Sequence, residues 1–243
     1  MQDSTITISD LSKEFESVAY RNGFQTSVLF DDVMQYIIFG FTENHPPIKH
    51  WKYTKEQNKE IFNLMKMWFQ LMNETTKTKE WFDAWGNLYE SIIASKGRRD
   101  NAAQFFTPSH LCDLMAKVTD ISDKAGKMVS DPTCGSGRNL LAYNAIQKGN
   151  IYVGEDLDRT CCLMTVCNMI IHGLEGAVIW HNTLKLDFSG GWFVNSGINN
   201  PLHKYYGIPH CDIMSRDDYE QYFLPKIEER ASSKESNNQL SLF

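Results

Sequence analysis

The chain has 243 residues, with 24 Lys and Arg against 30 Asp and Glu and a net charge of −6. That length accommodates one good core, or one core and a smaller helical domain. The negative balance argues against a protein that holds nucleic acid by bulk electrostatics, because phosphate contacts need Lys and Arg on the binding face; any contact with DNA has to come from a local patch or a partner. No apolar run reaches the ~20 residues of a membrane span, and the first residues lack the basic-then-apolar profile of a signal peptide. No internal repeat is visible. Six cysteines, Cys112, Cys134, Cys161, Cys162, Cys167 and Cys211, show no CxxC and no His/Cys metal spacing. They read as reduced thiols of a cytoplasmic protein.

In chain order, residues 1–10 are expected to be frayed. Helical patterning starts near Leu11 and runs with breaks to about Ser95. A helix over roughly 31–41 precedes the His45-Pro46-Pro47 break. Thr54 and Gln57 form a capping-box pair ahead of Ile61, Leu64, Met65, Trp68 and Met72, which share a helical face. Trp81, Trp85, Leu88 and Ile92 repeat that spacing in the next helix. Aromatic stripes at helical spacing serve a core more often than a cofactor, so residues 1–100 read as a helical domain without chemistry of its own. Lys96, Arg98 and Arg99 form the one compact basic cluster, either a phosphate contact or a solvated linker.

From about residue 109 helix and strand alternate. Helices are predicted over 109–119, 137–148 and 158–172, and strands over 128–132, 150–156 and 177–182. Gly149 and Gly173 stand where C-terminal caps belong. Trp192-Phe193-Val194 and Cys211-Asp212-Ile213-Met214 are candidates for further strands, and 217–230 for a helix. The alternation predicts an α/β domain over 101–225, a parallel sheet with helices on both faces. Residues 226–243 are polar and read as a solvated tail.

The most informative segment is Asp131-Pro132-Thr133-Cys134-Gly135-Ser136-Gly137, between an apolar run (Met128-Val129-Ser130) and a helical one that begins at Arg138. Glycine supplies φ > 0 and has no Cβ to collide, so a strand–glycine turn–helix lets the backbone approach a nucleoside cofactor closely. Nineteen residues beyond Gly137, Asp156 ends a second apolar run, placed to accept hydrogen bonds from both ribose hydroxyls. The alternatives are an ordinary tight turn for the loop and a helix N-terminal carboxylate for Asp156.

The Asp-Pro-x-Cys-Gly-x-Gly wording resembles the cofactor loop of the S-adenosylmethionine-dependent N6-adenine DNA methyltransferases, above all the modification subunit of type I restriction systems. Gln104-Phe105-Phe106-Thr107-Pro108 resembles the family's Phe-x-Thr-Pro element. Gly86-Asn87-Leu88-Tyr89-Glu90 and Ala94-Ser95-Lys96-Gly97 resemble the last helix of its helical domain, and Gly154-Glu155-Asp156-Leu157-Asp158 its Gly-x-acid-apolar-Asp element. The likeness is good over about 80–185 and thin before it. It implies a Rossmann-like methyltransferase sheet, smaller than the family's seven strands, preceded by a helical domain. It implies S-adenosylmethionine as cofactor, held by Phe106, Thr107 and Pro108 over its methionine end, by Asp131, Pro132, Cys134, Gly135 and Gly137 in the loop, and by Asp156 at the ribose. Asn182 stands where the family usually has an Asp that contacts the adenine amino group.

In that family an Asn-Pro-Pro-aromatic motif accepts the two hydrogens of adenine N6 and stacks on the flipped base. This chain reads Asn199-Asn200-Pro201-Leu202-His203 at the corresponding place. Asn200 and Pro201 would supply both acceptors and His203 the stacking ring, with Tyr205 and Tyr206 near. Leu202 in place of the second proline loosens the loop. An Asn-Pro turn without catalytic meaning is the alternative. The last five residues, Gln239-Leu240-Ser241-Leu242-Phe243, resemble the pentapeptide with which bacterial polymerases and repair proteins dock on the replicative sliding clamp.

The leading expectation is therefore a DNA adenine-N6 methyltransferase whose partners are DNA, a specificity subunit that reads the target, and the sliding clamp. A second reading is a cofactor-binding regulatory module on the clamp or a partner, with catalysis lost. A third is a methyltransferase for another substrate.

Overall fold

The computed structural model describes residues 6–42, 53–94, 106–119, 125–197 and 207–223; counts and absences given below are of these residues. The His45-Pro46-Pro47 break, the Lys96–Arg99 basic cluster, Gln104 and Phe105, the Asn199–His203 motif with Tyr205 and Tyr206, and the tail with its terminal pentapeptide lie outside them.

Three helices open the chain: α1 (Ile8–Asn22), α2 (Thr26–Gly40) and α3 (Lys55–Thr75). Each uses the local chemistry its sequence offers. Thr7 and Asp10 close a capping box on α1, so the order begins before the expected position near Leu11. Gly23 takes the left-handed conformation at its end, with φ of 66°. Thr54 and Gln57 form the expected capping box of α3. The fourth helix, α4 (Ala84–Tyr89), starts later than the Trp81 periodicity suggests, because Asp83 caps it by accepting from Gly86 N. A π-turn over Glu90–Ala94 follows directly.

Helix α5 (Ser109–Thr119) leads into strand β1 (Met128–Asp131), then α6 (Arg138–Ile146), β2 (Ile151–Asp156), α7 (Arg159–His172) and β3 (Glu175–Asn182). Strands β4 (Asp187–Val194) and β5 (Cys211–Ile213) and helix α8 (Arg216–Tyr222) complete the described chain. The sheet has five strands in the order β1-β2-β3-β4-β5. β1, β2 and β3 are parallel, with Asp131 beside Gly154 and Asp156 beside Trp180.

The expected all-parallel sheet is corrected in its second half: β4 runs antiparallel to β3, and β5 antiparallel to β4. The cause is the connection. Only residues 183–186 separate β3 from β4, far too few for the crossover a parallel neighbour needs, and Leu186 turns through a φ of 57°.

One continuous core joins the helical part to the sheet. It includes Phe15, Phe30, Trp68 and Trp85 from the opening helices, Leu140 and Leu141 from α6, and Cys162 to Ile170 along α7. Trp85 packs edge-on against Phe15 and Phe30, with ring centroids 6.3 and 5.3 Å apart. The opposite face of the sheet carries a smaller cluster, Val153, Ala177, Ile179, Met214 and Tyr219, roofed by α8. Helices therefore cover both faces, but the helical part and α7 cover one of them far more heavily. All six cysteines are free and buried. No described helix is long and apolar enough to cross a membrane.

Candidate functional site

At the C-terminal ends of the parallel strands the chain builds a cleft around residues 131–137. Asp131, the last residue of β1, holds the loop from both sides. Its Oδ1 accepts from Thr133 N at 3.1 Å and its Oδ2 from Asn139 Nδ2 at 3.0 Å. Cys134 N donates to Glu155 O at 2.9 Å, which ties the loop to β2. Gly135 and Gly137 have φ of 55° and 85°, and Gly137 serves as the N-cap of α6. Both positions also demand a missing side chain. A Cβ on Gly135 would stand 3.0 Å from the Phe106 ring, and one on Gly137 would stand 3.1 Å from Thr165 Oγ1.

Phe106 lies across Gly135 as a cover. Its ring centroid is 5.5 Å from that of Tyr89, and the Arg138 guanidinium sits 5.3 Å from it on a cation–π contact. Arg138 also donates to Thr107 O at 3.3 Å, so the segment before α5 is fastened to the helix after the glycine loop. Thr165 supports the loop from α7 by donating to Gly135 O at 2.8 Å.

Asp156 ends β2 and faces the loop. Its Oδ2 accepts from Gly135 N at 2.9 Å and its Oδ1 from Asp158 N at 2.8 Å. Burial raises its pKa above the ordinary carboxylate value, and the two amide donors oppose that shift. Each oxygen keeps a lone pair for a further donor, which is what a pair of ribose hydroxyls presents.

The cleft has a volume of about 210 Å³. Of the residues the sequence pointed to, Phe106, Thr107, Cys134, Gly135 and Asp156 line it. Pro108, Asp131, Pro132 and Gly137 are not among the lining residues; Pro108, which lines a wider groove, directly precedes α5, and its carbonyl accepts from Leu111 N and Cys112 N. Asn182, at the end of β3, is not among the residues that line the cleft. Its Oδ1 accepts from Leu184 N at 3.0 Å and Lys185 N at 3.3 Å, the closing bonds of the turn into β4. Asn200, Pro201 and His203 lie outside the described residues.

Thr133, Ser136, Arg138, Asn139 and Cys161 also line the cleft and were not singled out by the sequence reading. One signal was available: an arginine directly after a glycine loop at the buried start of a helix requires a carboxylate from elsewhere. Phe106 and Arg138 separate the cleft from a wider groove of about 770 Å³ along α5 and α6. That groove is lined by no residue of the glycine turn, which makes the smaller cleft the candidate site.

Burial raises the pKa of the Cys134 and Cys161 thiols well above the ordinary thiol value, which disfavours the reactive thiolate. No cluster of His, Cys, Asp and Glu fit to hold a metal occurs among the described residues.

A family model described as N-6 DNA methylase matches residues 80–206. The chain is 28% identical over 106 residues to the methylase subunit of the type I restriction enzyme MpnII from Mycoplasma pneumoniae, covering 41% of this chain and 20% of that protein. To the methylase subunit of the type I restriction enzyme EcoEI from Escherichia coli it is 30% identical over 119 residues, covering 43% and 24%. To that of MjaIX from Methanocaldococcus jannaschii it is 29% identical over 105 residues, covering 40% and 18%. The matches thus span a quarter or less of these relatives' own length. A crystal structure of the methyltransferase subunit of a type I restriction-modification system from Streptococcus thermophilus overlays 76% of this chain and 40% of its own, at 24% identity and a TM-score of 0.39.

Proposed function

Because the chain belongs to the N-6 DNA methylase family, we propose that it transfers a methyl group from S-adenosylmethionine to the N6 amine of adenine in DNA, at a target read by a partner. The observation that carries this reading is the pairing of Asp156 with the Gly135 amide beneath the Phe106 ring. It places a carboxylate, a bare backbone and an aromatic cover around one small cleft.

The residues present suit that cofactor. Asp156 retains acceptor capacity for the ribose hydroxyls, Gly135 leaves open the space a Cβ would fill, and Phe106 with Thr107 would close over the methionine end. When bound, the cofactor supplies a methyl group already activated on a sulfonium. The chain's own residues have to hold and orient it, and then prepare the amine. Asn200 and Pro201, with side-chain and backbone oxygens, would accept the two N6 hydrogens. That localises the nitrogen lone pair, which the purine ring otherwise withdraws. His203 would stack on the flipped base; flipping costs a few kcal/mol, and stacking returns roughly 1–3 kcal/mol. Transfer would form the N6–carbon bond as the carbon–sulfur bond breaks, with the electron pair leaving on the neutral thioether and the displaced N6 proton passing to solvent.

The net charge of −6 leaves DNA binding to a local patch or to a partner's surface. The relatives are named as subunits of type I restriction enzymes, and a specificity subunit is the partner this chain would share with them. The pentapeptide Gln239-Leu240-Ser241-Leu242-Phe243 supports a second contact, with the sliding clamp. Deleting 239–243 should abolish capture of purified clamp and leave cofactor affinity unchanged; capture by the shortened chain would remove that contact.

The test of the main reading is nucleoside mass spectrometry on unmethylated bacterial DNA incubated with the protein and S-adenosylmethionine, alone and with a specificity subunit, beside an Asn200→Ala control. N6-methyladenine formed by the unmutated chain under at least one of these conditions, and not by the Asn200→Ala variant, is the expected result. A cofactor-binding chain that yields no product under either condition overturns it.

A further inference from the structure

Asp83 belongs to the helical part, 53 residues before Ser136 in sequence, yet it bonds Ser136, a residue that lines the cleft. It is 1% exposed, and four donors converge on its carboxylate. Oδ2 accepts from Ser136 Oγ and from Arg138 Nε, both at 2.6 Å. Oδ1 accepts from Gly86 N at 2.7 Å and from Asn168 Nδ2 at 2.8 Å, and the same Asn168 amide donates to Ser136 O at 2.8 Å. A buried carboxylate is tolerated only when its lone pairs are met in this way. The approach is too close for anything but glycine at the next turn of α4: a Cβ on Gly86 would lie 1.9 Å from Asp83 Oδ2 and 2.7 Å from Ser136 Oγ.

These bonds reach both walls of the cleft. Through Ser136, Asp83 fixes the central residue of the Gly135-Ser136-Gly137 turn, whose neighbour Gly135 aims its amide at Asp156. Through Arg138 it fixes the cover. The guanidinium, held by Asp83 on one side and by Glu90 Oε2 at 3.0 Å on another, reaches Thr107 O and lies over the Phe106 ring.

We propose that Asp83 is a positioning residue for the cofactor: a carboxylate of the helical part that sets the glycine turn and its aromatic cover in register with Asp156. The inference rests on the cofactor reading of the cleft. It makes the helical part a component of the site, where sequence periodicity suggested only a core. Asp83 touches no ligand itself and acts through Ser136 and Arg138.

The experiment measures S-adenosylmethionine affinity by calorimetry on the full chain, together with thermal midpoints. The variants are Asp83→Asn, Ser136→Ala, the double variant, and Leu64→Ala as a control. Leu64 is fully buried in α3 and takes no part in the site, so its truncation lowers stability by a purely structural route. At a temperature where every variant is folded, Asp83→Asn should bind at least tenfold more weakly. Ser136→Ala should lose several-fold, and the double variant should lose no more than Asp83→Asn alone. Leu64→Ala should keep wild-type affinity despite its lower midpoint. If Asp83→Asn keeps wild-type affinity while melting early, as Leu64→Ala does, Asp83 holds helices together and nothing more, and the proposal falls. If Asp83→Asn does not fold, Ser136→Ala decides alone, and unchanged affinity overturns the proposal. A wild-type chain that does not bind the cofactor, or an Asp156→Ala variant that binds it as tightly as wild type, overturns the reading of the cleft itself, a result distinct from both.

Discussion

Gly135 donates its amide to Asp156 Oδ2 at 2.9 Å, so the carboxylate at the end of β2 is bonded to the turn at the end of β1. The contact links the two adjacent parallel strands at the ends where an α/β sheet binds its ligands. It also explains how a partly buried carboxylate, its pKa raised by desolvation, still has its charged form supported by two backbone amides.

Replacing Asp156 by Ala removes the acceptor for the ribose hydroxyls. A hydrogen bond to a charged group contributes about 1.5–3 kcal/mol, so affinity for S-adenosylmethionine should fall roughly ten- to a hundredfold, with far-UV circular dichroism unchanged. Affinity should also decline as the solution is acidified. The raised pKa means that Asp156 takes up its proton at a higher pH than an ordinary aspartate, and the protonated form is the poorer acceptor. An affinity indifferent to both changes would take Asp156 out of the binding site.

Gly135→Ala tests the turn and its cover together. Alanine there faces a φ of 55° and a ring atom of Phe106 at 3.0 Å. The left-handed conformation alone costs a Cβ-bearing residue roughly 1–2 kcal/mol. The variant should therefore lose about that much stability in urea denaturation, and cofactor affinity with it as Phe106 is pushed aside. In the Gly135→Ala, Phe106→Ala double variant the steric part of the stability loss should disappear and the backbone part remain.

Much of the site was legible from the chain, and the reason is locality. Residues 128–172 form strand, turn, helix, strand and helix within a residue or two of the expected bounds, because apolar periodicity and glycines at αL positions are written in neighbouring residues. What distant residues decide was not legible. The antiparallel return of β4 follows from the brief 183–186 connection, which no apolar pattern announces. Asn182 matched a family position, yet its side-chain oxygen is used by the turn that starts this return. Trp81 fits the periodicity of the helix after it, but the cap at Asp83 leaves it outside, where its Nε1 donates to Asp113 at 2.8 Å. Asp83 itself reads as an ordinary cap until the fold brings Ser136, Arg138 and Asn168 onto it.

Asp31, on α2 and bonded to Thr160 at the start of α7, provides a pH test of the interface between the helical part and the sheet. Burial lifts its pKa from the usual 3.8 to about 6, against the opposing hydrogen bond from Thr160 Oγ1 at 2.9 Å and the charge of Arg159. A folded-state pKa above the unfolded one means the folded chain binds the proton more tightly. This group's contribution is therefore fully present below pH 3.8 and is lost as the pH rises through about 6. Its size is at most about 3 kcal/mol. Asp31→Asn keeps an oxygen for Thr160 and removes the charge, so it should raise stability at pH 7 by about 1–2 kcal/mol and flatten the dependence between pH 6 and 4. Urea midpoints across that range check both effects, and equal slopes in the two proteins would show that Asp31 is already solvated.

The cysteines provide a check on the closure of the cleft that needs no ligand. All six are free and buried. Burial pushes the Cys112 thiol up to about 11 and raises Cys134, Cys161, Cys162, Cys167 and Cys211 as well. The reactive thiolate is thus scarce at every site, and the sulfur is shielded besides. Cys134 is the informative one, because it lies in the glycine loop with its Sγ buried 3.4 Å from Thr165 Oγ1. At pH 8 the native chain should leave a disulfide-exchange reagent such as dithionitrobenzoate almost unconsumed over minutes, and the denatured chain should titrate six thiols. Gly135→Ala should expose Cys134 selectively, since displacing Phe106 opens the loop above it, and mass spectrometry of the labelled chain would locate the adduct. Rapid labelling of Cys134 in the unmutated chain would mean that Thr165 and Phe106 do not hold the turn closed in solution.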